Sequence, residues 1–163
     1  MIDPKSCNVA IDANALDPPG DKIGRSRDVD RLLSLWRNGD INLIVPHSVL
    51  AEFQSPGTPA AIREEAASAI FTIQTALTGD ELRTRRIIEQ ELQGNARPGR
   101  HAADAQHLAE AAKYGGYFIT HDERILRRSG NLRDVLGRSL QVVNLAQFLE
   151  ICDEFYPVTC QLP

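Results

Sequence analysis

Short apolar runs alternate with amphipathic stretches along most of the chain, the rhythm of strands separated by helices. Val9-Ala10-Ile11 is the first run, and it stops at Asp12. A turn-rich loop follows, Asp17-Pro18-Pro19-Gly20-Asp21, and then Val29, Leu32, Leu33 and Trp36 fall at i, i+3, i+4 and i+7, one face of a helix. Asn38-Gly39-Asp40 ends that helix, Ile41 to Val45 is β-rich and stopped by Pro46, and a short helix carrying Glu52 comes next. Thr58-Pro59 caps a helix with its stripe at Ile62, Ala66, Ile70, Ile73 and Leu77, closed by Gly79. Asp80 caps a basic helix to about Leu92, with Leu82, Ile88 and Leu92 inward and Arg83 and Arg86 outward. Beyond the loop at 94–100, Ala102 to Lys113 is helical and Gly115-Gly116 stops it. Tyr117 to Thr120 and Leu140 to Val143 are two more strands, and Asn144 with Gln147 forms a capping box for a last helix through Leu149 and Ile151.

This pattern predicts an α/β fold, a three-layer α/β/α sandwich with a central, mostly parallel sheet of four or five strands. The 163 residues form one expected domain, with its core at about 8–150 and a C-terminal tail at 153–163. In a right-handed crossover, helix starts and strand ends share one edge of the sheet. Asp12 and Asp122 follow strands, while Glu52 and Asp104 open helices, so all four acids fall at that edge. Crowded carboxylates repel one another, which points to divalent cations. Two Mg²⁺ or Mn²⁺ ions about 4 Å apart can activate water and bridge a scissile phosphate, and hard ions of this kind favour carboxylates over imidazole. Taken singly, each acid also reads as a helix cap, a helix-start charge or a turn residue.

The net charge of −4 argues mildly against nucleic acid, but it is unevenly spread. From Arg83 to Arg138 there are 11 basic and 7 acidic residues, a local +4 that leaves −8 elsewhere. Fifteen of the 18 basic residues are Arg, whose planar fork suits phosphate oxygens. Arg83, Arg86 and Arg100 are the candidate phosphate contacts beside the acidic edge, and RNA contacts if the resemblance described next holds. Cys7, Cys152 and Cys160 lack a framework spacing and read as reduced thiols in a cytoplasmic protein. No apolar run approaches the ~20 residues of a membrane span, and no secretory leader is expected.

Four motifs carry a family resemblance, in order. Val9-Ala10-Ile11-Asp12-Ala13-Asn14-Ala15-Leu16, Ser48-Val49-Leu50-Ala51-Glu52-Phe53, Ala103-Asp104-Ala105-Gln106-His107-Leu108-Ala109 and Phe118-Ile119-Thr120-His121-Asp122 together resemble the PIN-domain nucleases. The likeness extends from about Val9 to Leu149. It implies an endoribonuclease that uses one or two Mg²⁺ or Mn²⁺ ions to hydrolyse phosphodiester bonds, often the toxin of a toxin–antitoxin pair similar to VapC. It also implies that Asp12, Glu52, Asp104 and Asp122 are catalytic metal ligands and that Asn14 and Thr120 support them. Thr120 could hold Asp122 or a metal-bound water by its hydroxyl. The expected partners are single-stranded or structured RNA, with an antitoxin protein and a second copy of the chain (a homodimer) left open.

Two rivals stand beside this reading. His101, His107 and His121-Asp122 are similar to the ligand pattern of HD phosphohydrolases, but His121-Asp122 follows a strand and His101 and His107 are six residues apart, on different helix faces. A non-catalytic module, either a PIN-fold scaffold or a receiver-like acidic pocket, is the non-enzyme rival. Receivers need a lysine at a strand end, and Lys5, Lys22 and Lys113 stand elsewhere.

Overall fold

A computed structural model describes residues 1–16, 22–53, 76–137 and 139–157. The expected loop at 17–21, the helix capped at Thr58-Pro59 and Cys160 lie outside these residues. After a 3-10 turn at Pro4–Ser6 come β1 (Asn8–Ile11), α1 (Ala13–Leu16), α2 (Lys22–Arg37), β2 (Asn42–Ile44) and α3 (His47–Phe53). Then follow α4 (Gly79–Gln93), α5 (Ala102–Tyr114), β3 (Gly116–Ile119), α6 (Glu123–Arg127), α7 (Ser129–Leu136), β4 (Leu140–Val143) and α8 (Leu145–Phe155).

The four strands form one all-parallel sheet in the order β2-β1-β3-β4, flanked by helices on both faces in three α/β/α layers. Alternation along each strand divides the core. Val9, Ile11, Tyr117 and Ile119 face α2 and α8, where Leu32, Leu33, Phe148 and Leu149 pack, and Tyr117 meets Phe148 edge to face at 5.3 Å. Ala10, Ile44 and Phe118 face the other layer, built from Ile88 and Leu92 of α4, Ala105 and Leu108 of α5, Ile125 of α6 and Leu132 of α7. The chain leaves β1 toward β2 and returns past it to β3, so the crevice between the ends of β1 and β3 is the topological switch point.

Several local expectations are corrected. Gly79 does not close a helix but opens α4, because Thr78 caps it in a box with Glu81. Leu82 is 40% exposed rather than inward, while Ile88 and Leu92 are buried as expected. α1, α6 and α7 add short helices that periodicity did not predict. The C-terminal tail begins later than 153, since α8 runs to Phe155 and Asp153 pairs with Arg31 of α2, Nη1 to Oδ2 at 3.0 Å. Cys7 and Cys152 are free thiols, pushed up to about 11 by burial. Among the described residues no helix is long and apolar enough to cross a membrane.

Candidate metal centre

Parallel pairing brings the end of β1 beside the end of β3: Ile11 is in register with Ile119, and Asp12 N donates to Ile119 O at 2.9 Å. The Asp12 side chain is buried against donors from both strand ends. Ala13 N reaches Oδ1 at 2.8 Å, while Thr120 Oγ1 at 2.7 Å and Asn14 Nδ2 at 3.0 Å reach Oδ2. Asn14 Oδ1 accepts His121 N at 2.7 Å, which ties the two turns together. The Thr120 hydroxyl therefore serves Asp12, and it touches Asp122 only by accepting that residue's N–H at 3.1 Å.

Glu52 projects from α3, its side chain 48% exposed, and faces the buried His107 of α5, with Nε2 and Oε1 3.6 Å apart. Ligand atoms of Asp12, Glu52 and His107 all lie within 4.8 Å of one another. Burial raises the Asp12 carboxyl above its ordinary value, against the Thr120 hydrogen bond and the nearby His107, and Asp104 adds repulsion. Glu52 is also raised, first by desolvation, with Asp12 and Asp104 repelling and His107 opposing. Two carboxylate oxygens and one imidazole nitrogen, with Asp12 fixed from behind by a hydroxyl and an amide, suit a divalent ion.

Asp104 and Asp122 stand outside that tight group. Asp104 Oδ2 lies 3.3 Å from His101 Nδ1 and 3.7 Å from Arg124 Nη1. Asp122 caps α6, accepting Arg124 N at 2.8 Å and Ile125 N at 3.3 Å, and pairs with Arg124 Nη2 at 2.6 Å. Burial alone would raise its carboxyl, but the Arg124 hydrogen bonds and charge, with Ile125 N, outweigh it and hold the group below its ordinary value. The acids thus divide into two pairs, one around His107 and one around Arg124.

His107, weighed in the sequence only as part of the HD pattern, is the member that the four-acid reading leaves out. Measured from His101 it falls on a different helix face, yet it lies three residues after Asp104, on the face of the acids. Neither histidine is a surface residue: His101 is 5% exposed and His107 3%. His121 and Asp122 lie just past β3 of the parallel sheet, the strand that the sequence pattern places before them.

All three candidate arginines are exposed: Arg83 and Arg86 lie about one turn apart on α4, and Arg100 stands in the turn before α5. α4 and α5 form an antiparallel hairpin, for Lys113 near the end of α5 reaches Glu81 near the start of α4 at 3.3 Å. From Asp104 to Lys113 the helix axis runs about 14 Å at ~1.5 Å per residue, so Arg83 sits toward the far end from the acids. Its charge is also engaged by Asp80. Arg100 adjoins His101 at the acidic edge. Glu123, next to Asp122, faces solvent and pairs with Arg127 at 2.6 Å.

In comparison with known proteins, the chain matches no family model and no curated sequence.

Proposed function

We propose that this protein is a PIN-like, divalent-metal-dependent endoribonuclease acting on single-stranded RNA. The observation that carries the reading is the convergence of Asp12, Glu52 and His107 within 4.8 Å at the switch point of a parallel sheet. That crevice is where open α/β sheets bind their ligands. Thr120 and Asn14 fix Asp12, so this carboxylate is oriented before any ligand arrives. Glu52, the more exposed of the two, faces the side from which substrate enters. Arg100 offers a donor fork to a phosphate at the same edge. A divalent ion, when bound, supplies the charge that activates water and offsets negative charge developing on the phosphate. In the hydrolysis a water oxygen bonds to phosphorus, the bond from phosphorus to the 3′ oxygen breaks, and that oxygen takes up a proton. The products are 5′-phosphate and 3′-hydroxyl ends.

The test is cleavage of a single-stranded RNA in Mn²⁺, with product ends analysed. Asp12→Asn and Glu52→Gln should lose cleavage and the Mn²⁺-induced rise in melting temperature while remaining folded in EDTA. Cyclic-phosphate products, or cleavage that persists in excess EDTA, sink the mechanism. The toxin role and a cytoplasmic location rest on the family resemblance and the thiol pattern. Growth arrest on expression, relieved by a co-expressed neighbouring gene, is the check for the toxin role.

A further inference from the structure

Arg124 of α6 is the cation between the two acids that His107 does not serve. Its Nη2 donates to Asp122 Oδ2 at 2.6 Å, its Nη1 lies 3.7 Å from Asp104 Oδ2, and the same Nη1 packs on the His101 ring, 2.9 Å from Nε2. His101 serves both neighbours in one tautomer, Nδ1 donating to Asp104 while Nε2 accepts from Arg124, so the imidazole would keep Asp104 partnered when the guanidinium leaves. The Arg124 side chain is 39% exposed, so its guanidinium can reach solvent without moving the backbone that α6 needs for its cap. A phosphate offers the planar fork two oxygens in bidentate geometry, a better match than two carboxylates from separate elements.

Charge decides what the stored arginine does to cations. Asp12, Glu52, Asp104 and Asp122 carry −4 when ionised, and Arg124 returns +1. One divalent ion beside His107 brings the edge to −1, and a second with Arg124 in place would bring it to +1. We propose that Arg124 is the substrate-phosphate ligand of this edge, stored on Asp104 and Asp122 until a phosphodiester takes it, and that while stored it restricts the edge to one divalent ion. This rests on the reading of Asp12, Glu52 and His107 as an ion site.

Equilibrium dialysis of the full chain against Mn²⁺, with and without uridine 5′-monophosphate, counts bound ions directly. Wild type should hold one ion per chain without nucleotide and approach two with it. Arg124→Gln should approach two without nucleotide, its second-ion affinity raised about tenfold or more by removal of a like charge. Arg124→Met also removes the charge and should shift in the same direction, which keeps the test open should the Gln variant not fold. An arginine that only braces α6 would lower the melting temperature and leave the count at one, and that result overturns the proposal. Two ions in wild type without nucleotide overturn it as well. No ion in wild type, or a wild-type count in Glu52→Gln, removes the ion-site reading itself and this proposal with it.

Discussion

A single nitrogen would decide which metal the proposed site prefers. Four carboxylates, as the motifs present them, suit Mg²⁺ and Mn²⁺ alike, whereas an ion held by Asp12 and Glu52 with the His107 imidazole would be selected from Mn²⁺ and later divalent metals over Mg²⁺. His107→Gln should weaken Mn²⁺ about tenfold or more in calorimetric titration and leave Mg²⁺ nearly unchanged; an equal loss of both would mark the histidine as structural. The motifs made Asp12, Asn14 and Thr120 legible because each stands beside a strand end. What was not legible was which side chain each one meets. Thr120 serves Asp12 because β1 and β3 are neighbours in register, and strand pairing is a long-range choice that local patterning does not encode. The division of the acids was hidden for a similar reason, since Arg124 acts on Asp104 across 20 residues of chain.

At the scale of the element, the site depends on α3, whose seven residues are too few to hold a helix by themselves. Glu110 of α5 anchors its start: Oε2 accepts Ser48 N and Ser48 Oγ, each at 3.0 Å, and Oε1 accepts Gln106 Nε2 at 2.7 Å. A carboxylate at a helix N-terminus is favoured by the dipole, and this one is buried. Glu110→Gln turns one acceptor into a donor facing the Gln106 amide, and urea denaturation should show a loss of about 1–3 kcal/mol. Because α3 carries Glu52, Mn²⁺ affinity should fall as well. Glu123→Gln, which alters an exposed pair with Arg127, should change neither; a Glu110→Gln protein of wild-type stability would show that α3 is held otherwise. Long elements with caps were readable, as with the Asn144 and Gln147 box of α8. α6 and α7 were not, because five and eight residues bury only Ile125, Leu132 and Leu136, too few to set a period.

In the whole molecule, the strand run lengths and apolar faces gave away a parallel three-layer fold, but not the order β2-β1-β3-β4, which brings β1 and β3 into close contact at the other end of the sheet from the acids. Gly116 starts β3 at φ +90°, and a Cβ there would meet Asn8 O at 2.0 Å. The clash is with backbone, so nothing flexible can give way, and the sequence shows only a second glycine after a helix stop. Gly116→Ala should cost about 3 kcal/mol or more, against a neutral or slightly stabilising Gly130→Ala in α7, where a Cβ has nothing within 4 Å. Four residues of strand put Gly116 about 13 Å from the acidic edge at ~3.3 Å per residue, so stability and ion binding should separate. Thermal scans in EDTA and in Mn²⁺ read both. Gly116→Ala should melt lower in either buffer yet keep the Mn²⁺ increment, whereas Glu52→Gln should melt as wild type in EDTA and lose the increment. If Gly116→Ala abolishes the increment while still folded, the two ends of the sheet are coupled and the ion site is not the local assembly of strand ends and helix starts described above.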